Sequence, residues 1–296
     1  MKVLVTGAAG RIGRAIYVRL LPEHEVTGLD RTPASTVQLV GDLSDPLLLR
    51  RALRDVDAVI HTAALHAPHV GHSADSEFER VNVQCTELLA NMAAGYGVRR
   101  FIFTSTTALY GAASQQAARA AWVDEELQPR PVSIYHRTKI AAETSLAAAA
   151  RAGMTVTALR MSRCFPEPAP LMAAYRLHRG IDARDVAEAH ALALQNELPG
   201  LRRYIISGAT PFLPEDADAL LHDAPAVLAL RAPALVEAFR QRGWRLPRSI
   251  DRVYSPALAM RLLAWKPRYG FEEVLRMLDE QSSEVLPPVP RTSEPD

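Results

Sequence analysis

Residues 2–30 read KVLVTGAAGRIGRAIYVRLLPEHEVTGLD, and this stretch decides the fold. An apolar run, KVLVT (2–6), leads into a loop holding Gly7, Gly10 and Gly13. An amphipathic segment (11–21) follows, and a second apolar run, EVTGLD (25–30), ends on an acid. A glycine trio alone is a weak signal. Between a strand and a helix it has a mechanism: the glycines permit a tight turn and close backbone approach, and the helix N-terminus stabilises a pyrophosphate. Arg11 and Ile12 belong to the same loop. Asp30 is positioned to accept from both hydroxyls of an adenosine ribose. Its charge favours NAD over NADP, while Arg31 and Arg11 leave NADP open.

Beyond this unit, TVQLV (36–40), DAVIHT (57–62), RFIFTS (100–105) and TVTALR (155–160) read as further strands. Amphipathic segments at 46–54, 76–95 and 136–151 read as helices between them. Strands alternating with helices predict a parallel sheet in an α/β, doubly wound, Rossmann-like domain over 1–160. A strand near 203–207 and a helix at 184–197 complete it. The less periodic, Pro-richer stretches 161–183 and 209–282 predict a small substrate cap over the sheet's C-terminal edge. The polar, Pro-rich tail 283–296 is expected to be disordered. In GDLSD, Asp42 and Leu43 are positioned to contact an adenine, although a turn Asp that caps the next helix reads equally well.

With 48% apolar residues in 296, a sizeable core is available. The net charge of +1, without blocks of like charge, points to neither nucleic acid nor a membrane surface as partner. Two cysteines, Cys85 and Cys164, argue against a disulfide framework and for a reducing compartment, the cytoplasm. No apolar run reaches membrane-spanning length, and MKVLVTG lacks the layout of a signal peptide. The 34 basic residues comprise 31 Arg and only 3 Lys. Codon bias accounts for the skew, yet it makes each remaining Lys informative.

One of them is Lys139, in YHRTK (135–139). Tyr135 and Lys139, four apart, share a helix face. An ammonium beside a phenol stabilises phenolate and is expected to lower the tyrosine pKa toward neutrality. Upstream, FTSTTALYG offers the hydroxyls of Ser105, Thr106 and Thr107 where open α/β sheets bind ligands. Ordinary β-propensity and turn chemistry are the alternative explanation for that cluster.

TGAAGRIG, Asp30, GDLSD, HTAA, Asn82 in RVNVQCT, FTSTTALYG and YHRTK occur in this order. As a set they resemble an extended short-chain dehydrogenase/reductase of the NAD-dependent epimerase/dehydratase group, over residues 1 to about 200. The resemblance implies bound NAD(P), with Tyr135 as acid/base. Lys139 would hold the nicotinamide ribose and tune the tyrosine, and Thr106 takes the place of the catalytic Ser/Thr. Thr62, Ala63 and Ala64 would lie along the cofactor, with Asn82 as the family's helix asparagine. A homodimer packed through helices 76–95 and 136–151 is implied as well. RMSRCFPEP resembles the compact uronate dehydrogenases, but the Arg expected just after PEP has no counterpart before Arg176. Arg163, Arg176 or Arg179 are the alternatives for binding an anion. AWKPRYGF (264–271) resembles a structural motif near the family's C-terminus.

In the run HTAALHAPHVGHSAD (61–75), His61, His66, His69 and His72 cluster. A metal site, a polar loop and substrate contact compete as explanations. Tyr and Lys chemistry needs no metal, and Pro68 and Gly71 break any common helical face, so no metal is expected. His66 and His69 are assigned to substrate; His61, inside a strand, to the core. The expected activity is hydride transfer between NAD(P) and a small polar, sugar-derived carbonyl or carbinol. A nucleotide-sugar 4-epimerase is the nearest rival, and a non-catalytic NAD(P) sensor is a rival from another class.

Overall fold

The computed structural model describes residues 1–288 except 117, 152, 196, 198 and 199. Its centre is a seven-stranded, all-parallel sheet. In chain order the secondary structure begins β1 (Lys2–Thr6), α1 (Arg11–Leu20), β2 (Glu25–Asp30), β3 (Leu39–Val40), α2 (Pro46–Ala52) and β4 (Ala58–His61). Then come α3 (Asp75–Glu79), a π-helical turn (Arg80–Gln84), α4 (Cys85–Gly95), β5 (Arg100–Thr106), β6 (Ala121–Val123), α5 (Ile134–Arg151) and β7 (Thr155–Met161). After α6 (Ala169–Tyr175) and α7 (Ala183–Ala193), β8 (Gly200–Ile206) adds the last strand of the sheet. The strand order is β3-β2-β1-β4-β5-β7-β8. The order reverses between β1 and β4, and a ligand crevice forms at such a point, beyond the carboxyl ends of the strands.

Period-2 burial on both sheet faces explains the near-continuous apolar strands. One face packs Val3, Val5, Ile60, Ile102 and Leu159 under α1 and α7. The other packs Leu4, Val59, Phe101, Phe103 and Val156 under α2, α4 and α5. The helix expected at 184–197 runs Ala183–Ala193, and residue 196 lies outside the described residues. The strand expected over 36–40 shrinks to Leu39–Val40. Thr36 is drawn off the ladder because its hydroxyl donates to the Ala8 carbonyl (2.6 Å).

The remaining helices are α8 (Ala217–His222), α9 (Ala224–Arg231), α10 (Pro233–Gln241), α11 (Ala257–Leu262) and α12 (Phe271–Asp279), with β9 (Arg252–Tyr254) parallel to β6. Met172, Phe212, Leu220, Leu228, Leu235, Phe239, Val253, Phe271 and Val274 form a separate apolar core among them. The AWKPRYGF segment locks this part to α7. The Trp265 indole donates to the Asp185 carbonyl (3.0 Å), and the Asp185 carboxylate accepts from the backbone N–H groups of Arg268 (2.8 Å) and Tyr269 (3.1 Å).

The tail departs from expectation. Residues 283–288 are ordered, because Val285 is buried in the cap core and Leu286 pairs with Pro168. The Leu286 N–H donates to the Glu167 carbonyl, and Ala169 N–H to that of Leu286 (3.0 Å each). Glu284 forms an ion pair with Arg11. Residues 289–296 lie outside the described residues.

Candidate active site

The crevice at the switch point is a cavity of about 570 Å³. Gly7, Gly10, Arg11, Ile12 and Gly13 line one end, with Asp30, Arg31, Asp42 and Leu43. The turn geometry there requires glycine. Gly7 has φ +73°, and a Cβ on it would fall 2.5 Å from the Thr62 hydroxyl; one on Gly13 would fall 2.1 Å from the Gly7 carbonyl oxygen. Backbone therefore packs on backbone, which opens the α1 N-terminus to a phosphate-sized anion. Asp30 is fixed by N–H donors from Ala9 (3.0 Å) and Thr32 (2.9 Å). Asp42 accepts from Ser44 (2.8 Å) and Arg80 (3.2 Å) and is held down at about 2 by those bonds. Thr62, Ala63 and Ala64 continue the wall, with the Thr62 hydroxyl donating to the Thr6 carbonyl (2.7 Å). These residues fit a dinucleotide cofactor.

At the middle of the cavity the end of β5 meets α5. Of the three hydroxyls, that of Thr106 accepts from the Ala108 N–H (3.1 Å), and Thr106 shares the cavity wall with Tyr135. Ser105 donates instead to Glu143 (2.6 Å) and Thr107 to the Met161 carbonyl (3.4 Å). Lys139 is 2% exposed. Its Nζ donates to the Thr104 carbonyl (2.7 Å) and lies 3.9 Å over the Phe103 ring. Burial pushes it down to about 7, against the opposing pull of Glu143 one turn along α5. The expected lowering of the tyrosine pKa is not what the fold gives. Burial pushes Tyr135 up to about 12, and the hydrogen bond to Thr106 offsets only part of this. The ammonium is committed to a backbone carbonyl, so it does little for the phenol.

Three assignments move. Asn82 does not line the cavity; it is 1% exposed on the π-helical turn. Its amide bridges loop and helix: Oδ1 accepts from Leu65 N–H (2.8 Å), and Nδ2 donates to the Leu65 carbonyl (2.9 Å) and the Thr138 hydroxyl (3.1 Å). Arg176 is buried away from the cavity, paired with Asp182 (3.1 Å). His69 is also off the wall. Its Nδ1 accepts from the His66 N–H (3.0 Å), and its ring meets that of His66 edge-on (4.5 Å). His66 does line the cavity, stacked on Phe165 (5.8 Å). His61 is a core residue with both ring nitrogens bonded, to Thr6 (2.7 Å) and Thr86 (2.8 Å). Among the described residues no three His, Cys, Asp or Glu side chains group as a metal would require.

Other residues reach the cavity without having been singled out: Gln115, His136, Arg252 and Tyr254, beside the expected Arg163 and the alternative Arg179. Arg252 sits in a three-residue strand whose partner, β6, lies far back in the sequence. No local pattern marks it.

A glycine loop opening α1, an acid ending β2 and a Thr–Tyr–Lys set on one wall define an extended short-chain dehydrogenase/reductase. The chain belongs to the NAD dependent epimerase/dehydratase family, whose model matches residues 3–169. It is 31% identical to a dTDP-D-glucose 4,6-dehydratase of Mus musculus over 48% of this chain and 44% of that one. It is 29% identical to sterol demethylase protein B of Methylococcus capsulatus, over 72% and 62%. The chain thus spans about half the length of the curated relatives it matches. A short-chain dehydrogenase/reductase superfamily structure from Agrobacterium tumefaciens, with bound NAD, superposes with a TM-score of 0.72 at 20% identity, covering 95% of this chain and 99% of that one. Among the described residues no helix is long and apolar enough to cross a membrane.

Proposed function

We propose an NAD-linked oxidoreductase acting on a small, polar, sugar-derived carbinol or carbonyl. The observation that carries this reading is that Thr106, Tyr135 and Lys139 line the same cavity as the glycine loop and Asp30. A bound nicotinamide supplies the hydride acceptor or donor. The loop 7–13 would hold its pyrophosphate, Asp30 the adenosine ribose and Lys139 the nicotinamide ribose. Thr106 orients the substrate oxygen. In reduction the Tyr135 phenol donates its proton to that oxygen; in oxidation the proton passes to the Tyr135 phenolate, the form that burial disfavours. The wall around the substrate end includes His66, Gln115, His136, residues 161–165, Arg179, Arg252 and Tyr254, and none of its residues comes from α8, α9 or α10. A site without a wall from those three helices suits a small substrate better than a nucleotide sugar.

The test is a panel of free aldoses, uronates, hydroxy-carbonyl compounds and UDP-sugars. Nicotinamide absorbance reads net redox, and sugar analysis reads silent epimerisation. Net NADH formation with a non-nucleotide carbinol is the expected result. Appearance of a 4-epimer of a UDP-sugar without net NADH would replace this reading with the epimerase.

A further inference from the structure

The substrate end of the cavity carries three guanidinium groups. Arg163, Arg179 and Arg252 all line it, whereas their counter-ions, Glu167 and Asp251, do not. Cations face the space and anions stand behind them.

The three are brought together by backbone pairing. Arg163 follows the end of β7, whose Met161 is in register with Thr106. Arg163 N–H donates to the Arg179 carbonyl (3.0 Å), and Tyr254 N–H to the His178 carbonyl (2.8 Å). Arg179 and Arg252 then share one carboxylate. Asp251 takes two bonds from Arg252 and stands 3.6 Å from Arg179. Arg252 is anchored further by donating to Ser114 (2.8 Å), and Arg179 by the Tyr175 hydroxyl (2.5 Å) and by its position 4.1 Å over the Tyr175 ring. Arg163 is balanced by Glu167 alone. The Arg179–Asp251–Arg252 cluster therefore holds two positive charges against one negative, and both guanidinium groups are pinned in orientation. His66 and His136 add no negative charge in either protonation state, and burial lowers both toward the neutral form. A fixed excess cation on a partly dry wall is costly unless an anion meets it.

We propose that Arg179 and Arg252 form a subsite for a compact oxyanion carried by the substrate, a carboxylate or a phosphate monoester. This rests on the reading of the cavity as a hydride-transfer site. On it, the substrate is a sugar-derived acid or phosphorylated polyol whose anionic end lies on the cap side, away from Tyr135.

The experiment separates the two ideas by measuring NAD affinity first. Wild type, Arg179→Gln and Arg252→Gln are titrated with NAD, then held at saturating NAD and titrated with inorganic phosphate, acetate and neutral glycerol. Saturating NAD keeps phosphate out of the glycine loop. Unchanged NAD affinity is expected in both variants. Wild type should bind phosphate or acetate but not glycerol, and each variant should weaken that binding about tenfold, the loss expected for one charge-assisted hydrogen bond. Preference for phosphate would assign a phosphate monoester, and preference for acetate a carboxylate. Arg252 braces its surroundings, so Arg179→Gln, the more exposed of the two, serves if Arg252→Gln does not fold. Wild type binding neither anion, or Arg179→Gln binding as wild type does, overturns the subsite while leaving the hydride-transfer reading intact. No NAD binding by wild type overturns both.

Discussion

Lys139 shows a side chain kept against its own preference. Its folded pKa, about 7, lies below the ordinary 10.5. Between those values the unfolded chain binds a proton that the folded chain gives up. Stability therefore rises with pH across that window, and the full cost is present below about 7. Lys139→Met should raise stability at pH 7 by roughly 1–3 kcal/mol and gain less at pH 9. Urea denaturation at both pH values measures this, and a less stable variant at pH 7 would contradict it. Lys139→Arg should cost turnover on the order of a hundredfold, because a planar fork cannot occupy the space between Thr104 and Phe103 without moving Tyr135. Wild-type turnover in that variant would remove Lys139 from the chemistry. At the other end of the cavity, NADH should bind more tightly than NADPH, and Asp30→Ala should narrow the difference about tenfold in paired titrations. The positions of the glycines, Asp30 and the Tyr–Lys pair on the cavity wall were legible in sequence because each follows from spacing within or at the end of a regular element. His69 and Asn82 were not: spacing tells that a residue is near a site, not whether it faces it.

At the scale of elements, the π-helical turn Arg80–Gln84 separates α3 from α4 and carries Asn82. Such turns recur where a helix must aim a side chain sideways. Here the amide ties the loop after β4 to α5, through Leu65 and Thr138. Asn82→Ala leaves a buried carbonyl and N–H of Leu65 without partners and should cost about 2–4 kcal/mol. Calorimetry or urea titration checks the loss. An effect below 0.5 kcal/mol would show that water replaces the amide. The π turn had no sequence signature, since its residues continue the amphipathic pattern of 76–95. The short β3 was misjudged for a related reason. TVQLV has strand propensity throughout, but Thr36 found a better partner in the Ala8 carbonyl.

For the whole molecule, the parallel sheet could be read from the alternation of strands and helices, since buried parallel strands are apolar runs and each needs a crossover. The cap could not be read in the same detail, because its core joins residues from 169 to 285 through short helices with weak periodicity. We propose a homodimer through α4 and α5. The outward side of these helices carries the exposed small residues Ala94, Ala141 and Ala148, whereas Leu88 and Met92 pack against the sheet core. Sedimentation should give twice the 32.4 kDa chain mass, and Ala141→Glu, at an exposed position of α5, should shift it toward the monomer. A monomer at micromolar concentration in the unmodified protein would dismiss that interface.

The pairing of Arg11 with Glu284 has a consequence for how the protein is made. Arg11 leaves the ribosome long before its ionic partner Glu284. β8 likewise reaches β7 only after the intervening α6 and α7 have been synthesised. The phosphate loop therefore waits without that ionic partner until the segment carrying Glu284 has been made. Such long-range closure slows folding and lengthens the time for which apolar strands stay exposed to chaperones.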